Sequence, residues 1–211
     1  MTPPENIFRF ANVTASNREI PILENFDLTV KAGEKVVLKG RSGIGKTTVL
    51  RLLLGFRKPD SGRVFFRDEE VDEDTVWKVR REVAYVSQDV ALGHGTVADF
   101  IDTVFSYRAN QGRRPDGGRI NSFLKTFELP EEILDKELAD VSGGEKQRIA
   151  VLVALLLGRK TFILDEITAA LDPDLRDKVM GFFLHDPAVT VLAVSHDVNT
   201  DLTGVRQVDM R

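Results

Sequence analysis

The sequence has no cysteine, no recognisable secretory leader and no apolar run long enough to cross a membrane. The lack of cysteine excludes disulfides and thiol catalysis, and it is compatible with a reducing compartment. Met1–Glu5 has neither a basic start nor an apolar core, so we expect no signal peptide. The longest apolar run, Ile149–Leu157, has nine residues, whereas a spanning helix needs about 20. We therefore expect a soluble chain that reaches a membrane only through a partner.

Positive charge is also in deficit, with 29 lysines and arginines against 33 acidic residues. The resulting formal charge of −4 and pI of about 5.5 argue against a general nucleic-acid binder. Hydrophobic residues make up 42% of the 211 positions, which is enough for a real core and excludes global disorder. This length predicts one substantial α/β domain, with room for an inserted lobe.

The segment Gly40–Thr48 reads GRSGIGKTT and matches the P-loop pattern of glycine, four residues and Gly-Lys-Thr. Val36–Leu38 precedes it as a short apolar run and predicts a buried strand. Thr48–Leu54 follows it and predicts a helix that ends at Gly55. Strand, glycine loop and helix form the context of a phosphate-binding site. An ordinary glycine turn before a helix is the alternative, and it leaves the full pattern and both flanks to coincidence.

The residue types in this loop suit a nucleoside triphosphate. Gly40, Gly43 and Gly45 let the backbone approach phosphates without interference from Cβ atoms. The loop N–H groups and the helix N-terminus then form an anion cradle. Lys46 places a charge on the outer phosphates, and the Thr47 hydroxyl can ligate Mg²⁺. The remaining residues of the predicted nucleotide-binding segment are Arg41, Ser42, Ile44 and Thr48.

The rest of the chain alternates apolar strand patterns with amphipathic helix patterns. We predict further strands at 7–13, 26–30, 63–67, 83–88 and 189–194. We predict helices at 75–81, 96–107, 120–127, 131–138 and 142–157, and a loop at 108–119. The chain is thus a single domain, 1–211, with an α/β core (1–88 and 158–211) and a helical lobe (about 89–157).

A second anion-binding helix start is predicted at Ser142. Ser142 is a natural N-cap, and Gly143 and Gly144 leave the first helical N–H groups bare. One nucleotide does not need two such sites in one protomer. We therefore expect the second site to serve a nucleotide held by another copy of the domain.

With these residues in view, the chain resembles the ATPase subunits of ABC transporters. Their Leu-Ser-Gly-Gly-Gln signature stands here as Val141–Glu145, with Ser142, Gly143 and Gly144 unchanged. Glu145 replaces the glutamine, a change that is common in the family. The resemblance implies that Ser142–Glu145 of one copy binds the triphosphate held by the other copy.

The resemblance also assigns roles to two acids that follow an apolar strand. Phe162–Glu166 resembles the Walker B strand, in which Asp165 would hold Mg²⁺ through water. Glu166 would be the general base that polarises the attacking water. The alternative, that both acids simply start a helix, ignores the strand before them and the P-loop upstream.

Three further positions match the family in order along the chain. Gln88 matches the Q-loop glutamine, which lies near Mg²⁺ and the attacking water and couples the ATP site to the membrane subunit. Asp172 matches the D-loop, which crosses the dimer. His196 matches the switch histidine that contacts the γ-phosphate. With Lys46 and Glu166, Gln88 and His196 form the implied catalytic set.

One family feature is missing. The aromatic residue that stacks on adenine aligns with Asn17. Base selectivity is then loose, or Phe8 or Phe10 substitutes for the missing ring, and the sequence leaves these options open.

The resemblance implies a P-loop NTPase fold of the α/β class. It would have a mixed sheet, an N-terminal antiparallel β portion and an inserted α-helical lobe. The implied activity is hydrolysis of ATP with Mg²⁺ by a homodimer on the inner face of the cell membrane. The implied partner is an integral membrane permease, and no nucleic acid is expected. Ile167, where most members have proline, and the segment Phe127–Pro130 resemble the bacterial subgroup of iron-export ATPases.

Three alternatives to a transport ATPase fit the sequence less well. A soluble ABC protein of translation or DNA maintenance normally carries two cassettes or a long coiled-coil insertion, and this chain has neither. A GTPase or small-molecule kinase leaves Ser142–Arg148 unexplained, and the guanine motif Asn-Lys-x-Asp is absent. A degenerate cassette without turnover conflicts with the intact Lys46, Asp165, Glu166 and His196.

Overall fold

The computed structural model describes residues 5–18, 20–167, 171–195 and 204–210. Two long antiparallel strands come first, and strands and helices alternate after them. The strands are β1 (Asn6–Asn17), β2 (Ile20–Lys31), β3 (Lys35–Lys39), β4 (Ser61–Phe66), β5 (Glu69–Glu70), β6 (Val83–Val86), β7 (Thr161–Asp165), β8 (Thr190–Ser195) and β9 (Arg206–Asp209). The α-helices are α1 (Lys46–Leu53), α2 (Val76–Glu82), α3 (Val97–Ser106), α4 (Gly117–Thr126), α5 (Gly143–Leu156) and α6 (Pro173–Leu184).

Four strands form an antiparallel sheet in the order β2-β1-β4-β5. The central strand β1 carries Phe8 and Phe10, which are 0% and 1% exposed. Phe10 pairs with Leu28 on one side and with Val64 on the other. Both rings belong to the core that this sheet shares with β3 and α1. The expectation that Phe8 or Phe10 stacks on adenine is therefore wrong, because neither ring reaches the surface.

Five strands form a separate sheet in the order β6-β7-β8-β3-β9, and every pairing in it is parallel. The residues of β3 and β7 are buried throughout, as expected for parallel strands that are covered on both faces. β8 lies between β3 and β7. The carboxyl ends of β3 and β7 therefore lie one strand apart at the same edge, which is where ligands bind in open parallel sheets.

The helices α3, α4 and α5 lie between β6 and β7 along the chain. Thr96 caps α3 and forms a reciprocal capping box with Asp99. The apolar side chains of α3, α4 and α5 form one core with those of β6, β7 and α6. No helix in the described part of the chain is both long enough and apolar enough to cross a membrane.

The predicted fold class is confirmed, with the parallel and antiparallel strands divided between two sheets. The prediction of a loop through 119 is wrong, because α4 begins at Gly117 and a 3-10 helix covers Arg108–Asn110. The carboxylate of Asp116 accepts the N–H of Arg119 at 2.8 Å, and this cap starts a helix that its two glycines disfavour. The predicted helix at 131–138 is only a 3-10 turn, Glu131–Asp135. The division into core and lobe stays a prediction.

Candidate nucleotide-binding site

The P-loop leaves β3 and enters α1 through glycines with left-handed backbone. Gly45 has φ of +108° and precedes the first residue of α1. A Cβ atom there would lie 2.7 Å from Cγ2 of Ile22, which is too close for any side chain. Gly43 has φ of +80° but no atom within 4 Å of its hypothetical Cβ. Both glycines are required by conformation, and Gly45 is also required by close packing against β2.

Lys46 is the charged centre of the loop. Its side chain is buried, at 5% exposure, on the first turn of α1. The ammonium donates to the carbonyl oxygen of Gly40 at 2.7 Å and to that of Arg41 at 3.1 Å. A phosphate oxygen bound at the loop would give this ammonium a charged acceptor, and charge-assisted hydrogen bonds are about twice as strong as neutral ones.

A cavity of about 210 Å³ opens above the loop. Gln88 and Glu166 line it from beyond β6 and β7, together with Ile22 from β2. The loop residues that line it are Ser42, Gly43, Gly45, Lys46, Thr47 and Thr48. An amide, a carboxylate, a hydroxyl and an ammonium thus converge on a space suited to the outer phosphates and a water molecule.

The backbone of Glu166 departs from the strand geometry of β7. Glu166 has φ of +54°, which costs about 1–2 kcal/mol in a residue with a Cβ. Its N–H donates to the carbonyl oxygen of Val194 in β8 at 3.1 Å. This bond holds the left-handed turn. The Glu166 side chain lines the cavity, whereas the neighbouring Asp165 is buried.

Asp165 is buried at the carboxyl end of β7, with 3% of its surface exposed. Burial raises the pKa of its carboxyl group, and the nearby charge of Glu166 raises it further. Arg51, Lys46 and a hydrogen bond with Thr47 act in the opposite direction. Its Oδ1 atom is buried without a hydrogen-bond partner among the described residues. A buried oxygen in this condition is costly unless another group completes its environment.

The donors at this point are hard oxygen atoms, the kind that Mg²⁺ prefers. They are the Thr47 hydroxyl and the partnerless Oδ1 of Asp165. Across the ranges that the structure describes, no group of three or more histidines and acidic residues could hold a metal alone. Mg²⁺ usually takes one or two protein ligands and completes its shell with waters and substrate phosphates.

The signature segment forms the N-terminus of α5. The Glu145 N–H donates to the Ser142 hydroxyl at 3.3 Å, and the Ser142 N–H donates to the Glu145 carboxylate at 2.7 Å. The hydrogen bonds from Ser142, and to a lesser degree the charge of Lys136, lower the pKa of Glu145 to about 2. Lys136 lies 3.2 Å from the same carboxylate. Glu145 is thus engaged within its own protomer, while Ser142 and Gly143 are exposed.

The structure brings some predicted site residues together and leaves others apart. None of Ser142, Gly143, Gly144 or Glu145 lines the P-loop cavity. Asp172 is exposed and caps α6, accepting the Leu175 N–H at 3.0 Å, and it does not line the cavity either. Gly40, Arg41 and Ile44 shape the loop without lining the cavity. His196 lies outside the described residues.

Sequence reasoning missed two residues of the site. Ile22 lines the cavity because β2 crosses the P-loop, a long-range contact that no local pattern encodes. Arg51, one turn after the loop, lowers the pKa of Asp165. Its position four residues after Thr47 on α1 was a usable signal, because residues three to four apart share a helix face.

Comparison with known proteins agrees with this geometry. The family model described as "ABC transporter" matches residues 23–169. The chain is 34% identical over 194 residues to the probable iron export ATP-binding protein FetA of Escherichia coli (strain K12), covering 90% of this chain and 85% of FetA. It is 36% identical to the sulfate/thiosulfate import ATP-binding protein CysA of Mesorhizobium japonicum, covering 56% of that protein. The chain therefore spans only about half of CysA.

Solved structures give the same answer. The dimeric structure of MJ0796, a bacterial ABC transporter cassette, superposes with a TM-score of 0.82 at 29% identity, covering 96% of this chain and 94% of that one. A post-hydrolysis dimer of MJ0796 bound to ADP and Pi superposes with a TM-score of 0.81 at the same identity. Because the family model matches residues 23–169 and FetA is 34% identical over 90% of the chain, the chain belongs to the ABC transporter family, as an ATP-binding subunit.

Proposed function

We propose that two copies of this chain hydrolyse MgATP at sites shared between them and drive a membrane partner that exports a metal ion. The coarser part follows from family membership: the chain is an ATP-binding, ATP-hydrolysing subunit of a membrane transporter. The residues of the shared site, the Mg²⁺ and the cargo are the proposal. The supporting observation is the separation of two anion-type helix starts, since Ser142 does not line the cavity of Lys46.

Four side chains of the cavity lining, and Asp165, which is hydrogen-bonded to Thr47, have chemical tasks in this mechanism. Lys46 and the N–H groups of the loop bind the β- and γ-phosphates, and the charge of Lys46 offsets the charge that develops on the leaving group. Glu166 takes a proton from the attacking water, and the Gln88 amide orients that water. Thr47 and Asp165 would hold Mg²⁺, which neutralises charge on the phosphate oxygens when bound.

The second copy completes the site. Its Ser142 hydroxyl and the bare N–H groups of its α5 would approach the γ-phosphate from the side opposite the P-loop. This arrangement accounts for the exposure of Ser142 and Gly143 at a helix start where Ser142 and Glu145 already form both bonds of a capping box. The dimeric MJ0796 cassette supports the same mode of association.

A groove of about 340 Å³ beside Gln88 is the proposed seat of the membrane partner. It lies between β6, the segment after Val86, and the helices α3 and α5, and its lining is mostly apolar. The charged residues of its lining are Arg80 and Arg159, with no acidic side chain among the described residues that form it. We therefore expect an apolar helix of the permease, bearing a carboxylate, to dock here and hold the chain on the cytoplasmic face.

Substitution of an arginine tests this docking site. Arg80→Glu should abolish recovery of the chain with its permease from detergent-solubilised membranes, because a like charge would face the carboxylate. The ATPase activity of the isolated chain should persist, since Arg80 does not line the P-loop cavity. Arg63→Glu, on the antiparallel sheet, is the matched control. Equal recovery of both variants would exclude the groove as the seat.

The cargo is proposed from FetA, which the chain covers over 85% of its length. Metal export predicts that Fe²⁺ on the side of the membrane that carries the ATP-binding chain stimulates ATP hydrolysis by the chain–permease complex. Sulfate, the cargo in the name of CysA, should have no effect. Stimulation by sulfate and not by iron would contradict the cargo while leaving the ATPase assignment intact.

Substitution of Glu166 tests the chemistry. Glu166→Gln should lower kcat by about 10²–10⁴-fold, the usual contribution of a general base. ATP binding should persist because the amide has the same shape. A rate close to that of the unsubstituted chain would remove Glu166 from this role.

A further inference from the structure

Three phenylalanine rings and one ion pair join α4 to α6, from the buried Phe127 to the partly exposed Phe182. The ring of Phe182 on α6 stacks on Phe123 of α4, with centroids 5.5 Å apart at 28°. It also stacks on Phe127, just past α4, at 6.4 Å and 12°. One turn earlier on α6, the Lys178 ammonium lies 2.6 Å from the carboxylate of Glu128. We call Phe123, Phe127, Glu128, Lys178 and Phe182 the α4–α6 brace.

The brace is built on a strained turn that also holds the signature helix. Glu128 has φ of +54°. Arg148, which lies on α5 behind the signature segment, donates to the carbonyl oxygens of Phe127 and Glu128 at 3.2 and 3.1 Å. The two carbonyls of this turn therefore anchor α5, while its two side chains contact α6.

The next residue along α6 after Phe182 packs on the Walker B strand. Phe183 is fully buried and meets Phe162 of β7 edge to face, with centroids 5.0 Å apart. A continuous set of contacts thus runs from β7 through α6 and the brace to α5. It connects the strand that ends at Asp165 with the helix that begins at Ser142.

Part of this brace is exposed, and none of its residues lines the P-loop cavity. Phe182 is 38% exposed, and the side chains of Lys178 and Glu128 are 51% and 49% exposed. An exposed ion pair adds little to fold stability, and a half-exposed ring contributes less than a core ring. The arrangement is better suited to fixing the relative orientation of α5 and β7 than to holding the domain together.

We propose that the brace is a positioning device for the shared ATP site: it holds the signature helix in the orientation needed by the partner copy. This inference rests on the proposed function, in which Ser142 acts on the nucleotide of the other protomer. A signature helix that is already oriented loses less conformational freedom when the dimer closes. The brace therefore strengthens ATP-dependent association without touching the nucleotide.

The test uses a Glu166→Gln background, which keeps ATP intact, and measures the dimer dissociation constant with MgATP by sedimentation. Phe182→Ala should raise that constant about tenfold, as expected for the loss of two stacked aromatic contacts. The affinity of the dilute monomer for a fluorescent ATP analogue should not change, because the P-loop is intact. Tyr107→Ala removes a ring of 58% exposure outside the brace and should change neither quantity.

Charge reversal supplies an independent variant that does not alter the aromatic contacts. Lys178→Glu should weaken the dimer by placing two carboxylates together, and the double variant Lys178→Glu with Glu128→Lys should restore it. A purely structural role would show loss and rescue in the unfolding temperature while leaving the dimer dissociation constant unchanged.

Dimerisation of the background chain with undiminished affinity in Phe182→Ala and Lys178→Glu would overturn the brace alone. Failure of the background chain itself to dimerise would overturn the proposed function, and the brace with it.

Discussion

Replacing Asp165 by asparagine should stabilise the nucleotide-free protein while weakening its response to MgATP. The carboxylate is 3% exposed, and its Oδ1 has no partner in the described structure. An unsatisfied buried polar group costs about 1–3 kcal/mol, and a neutral amide is desolvated more cheaply than a charge. We expect Asp165→Asn to gain about 1 kcal/mol, which raises Tm by about 2–4 °C for a chain of this size.

The direction of the Asp165 pKa shift determines how the stability gain of Asp165→Asn depends on pH. Burial raises the pKa of Asp165 in the folded state above its ordinary value. The charged form is therefore the disfavoured one in the fold, and its cost is fully present at neutral pH. As pH falls through the raised pKa, the carboxyl group becomes neutral and the cost disappears. The advantage of Asp165→Asn should thus be largest near pH 7 and should shrink toward pH 4.

Binding of MgATP should make the unsubstituted chain more stable than Asp165→Asn. At a ligand concentration of about 100 times Kd, binding stabilises a protein by about 2.7 kcal/mol. The unsubstituted chain should receive this increment with MgATP, and Asp165→Asn should receive much less because a neutral oxygen is a poorer Mg²⁺ ligand. Thermal melts with and without MgATP measure both effects, and Asp177→Asn on the exposed face of α6 is the control. A nucleotide-free Asp165→Asn that melts below the unsubstituted chain would refute this reasoning.

Substitutions in the P-loop and at Glu145 give further predictions about local structure. Gly43→Ala should cost about 1 kcal/mol for its left-handed backbone, whereas Gly45→Ala should cost about 1–3 kcal/mol more because its Cβ meets Ile22. Denaturant unfolding measures both losses, and Ile22→Ala should recover part of the Gly45→Ala loss; equal losses for the two glycines would contradict the packing. Glu145→Gln keeps the cap but loses the charge pair with Lys136, so it should cost about 1 kcal/mol at pH 7. Because the pKa of Glu145 is lowered from 4.5 to about 2, this difference should fade as pH drops across that window, and a difference that grows there would exclude the charge as its cause.

The elements around the P-loop were predictable because their signals are local. An apolar run, a glycine pattern and a capped amphipathic helix lie within a few residues of one another. β9 gave no such signal, because it is a short edge strand whose residues are mostly exposed. It is a strand only because its backbone pairs with β3. The start of α4 was missed for a different reason. Its two glycines have a propensity that favours a loop, and the local Asp116 cap outweighs them.

The candidate site was predictable as a set of residues but not as an arrangement. Asp165 ends β7 and the Lys46 loop follows β3. The carboxyl ends of these strands share one sheet edge, so the proximity of the two residues could be anticipated. The contact of Ile22 with the loop and the partnerless oxygen of Asp165 depend on tertiary packing, which the sequence pattern does not encode. The left-handed backbone of Glu166 is likewise visible only in the structure, because glutamate rarely adopts it.

The most direct test of the account is whether two differently damaged copies can assemble one intact site. Lys46→Ala disables the P-loop, and Gly143→Asp places a negative charge at the start of α5, where no atom lies within 4 Å of the new Cβ. Both changes are made in the Glu166→Gln background, and the ATP retained after rapid gel filtration is counted. The account predicts that neither variant retains ATP alone and that their mixture does, at one nucleotide per mixed dimer. A mixture as empty as its components, while the Glu166→Gln background itself retains ATP, would contradict a site shared between two protomers.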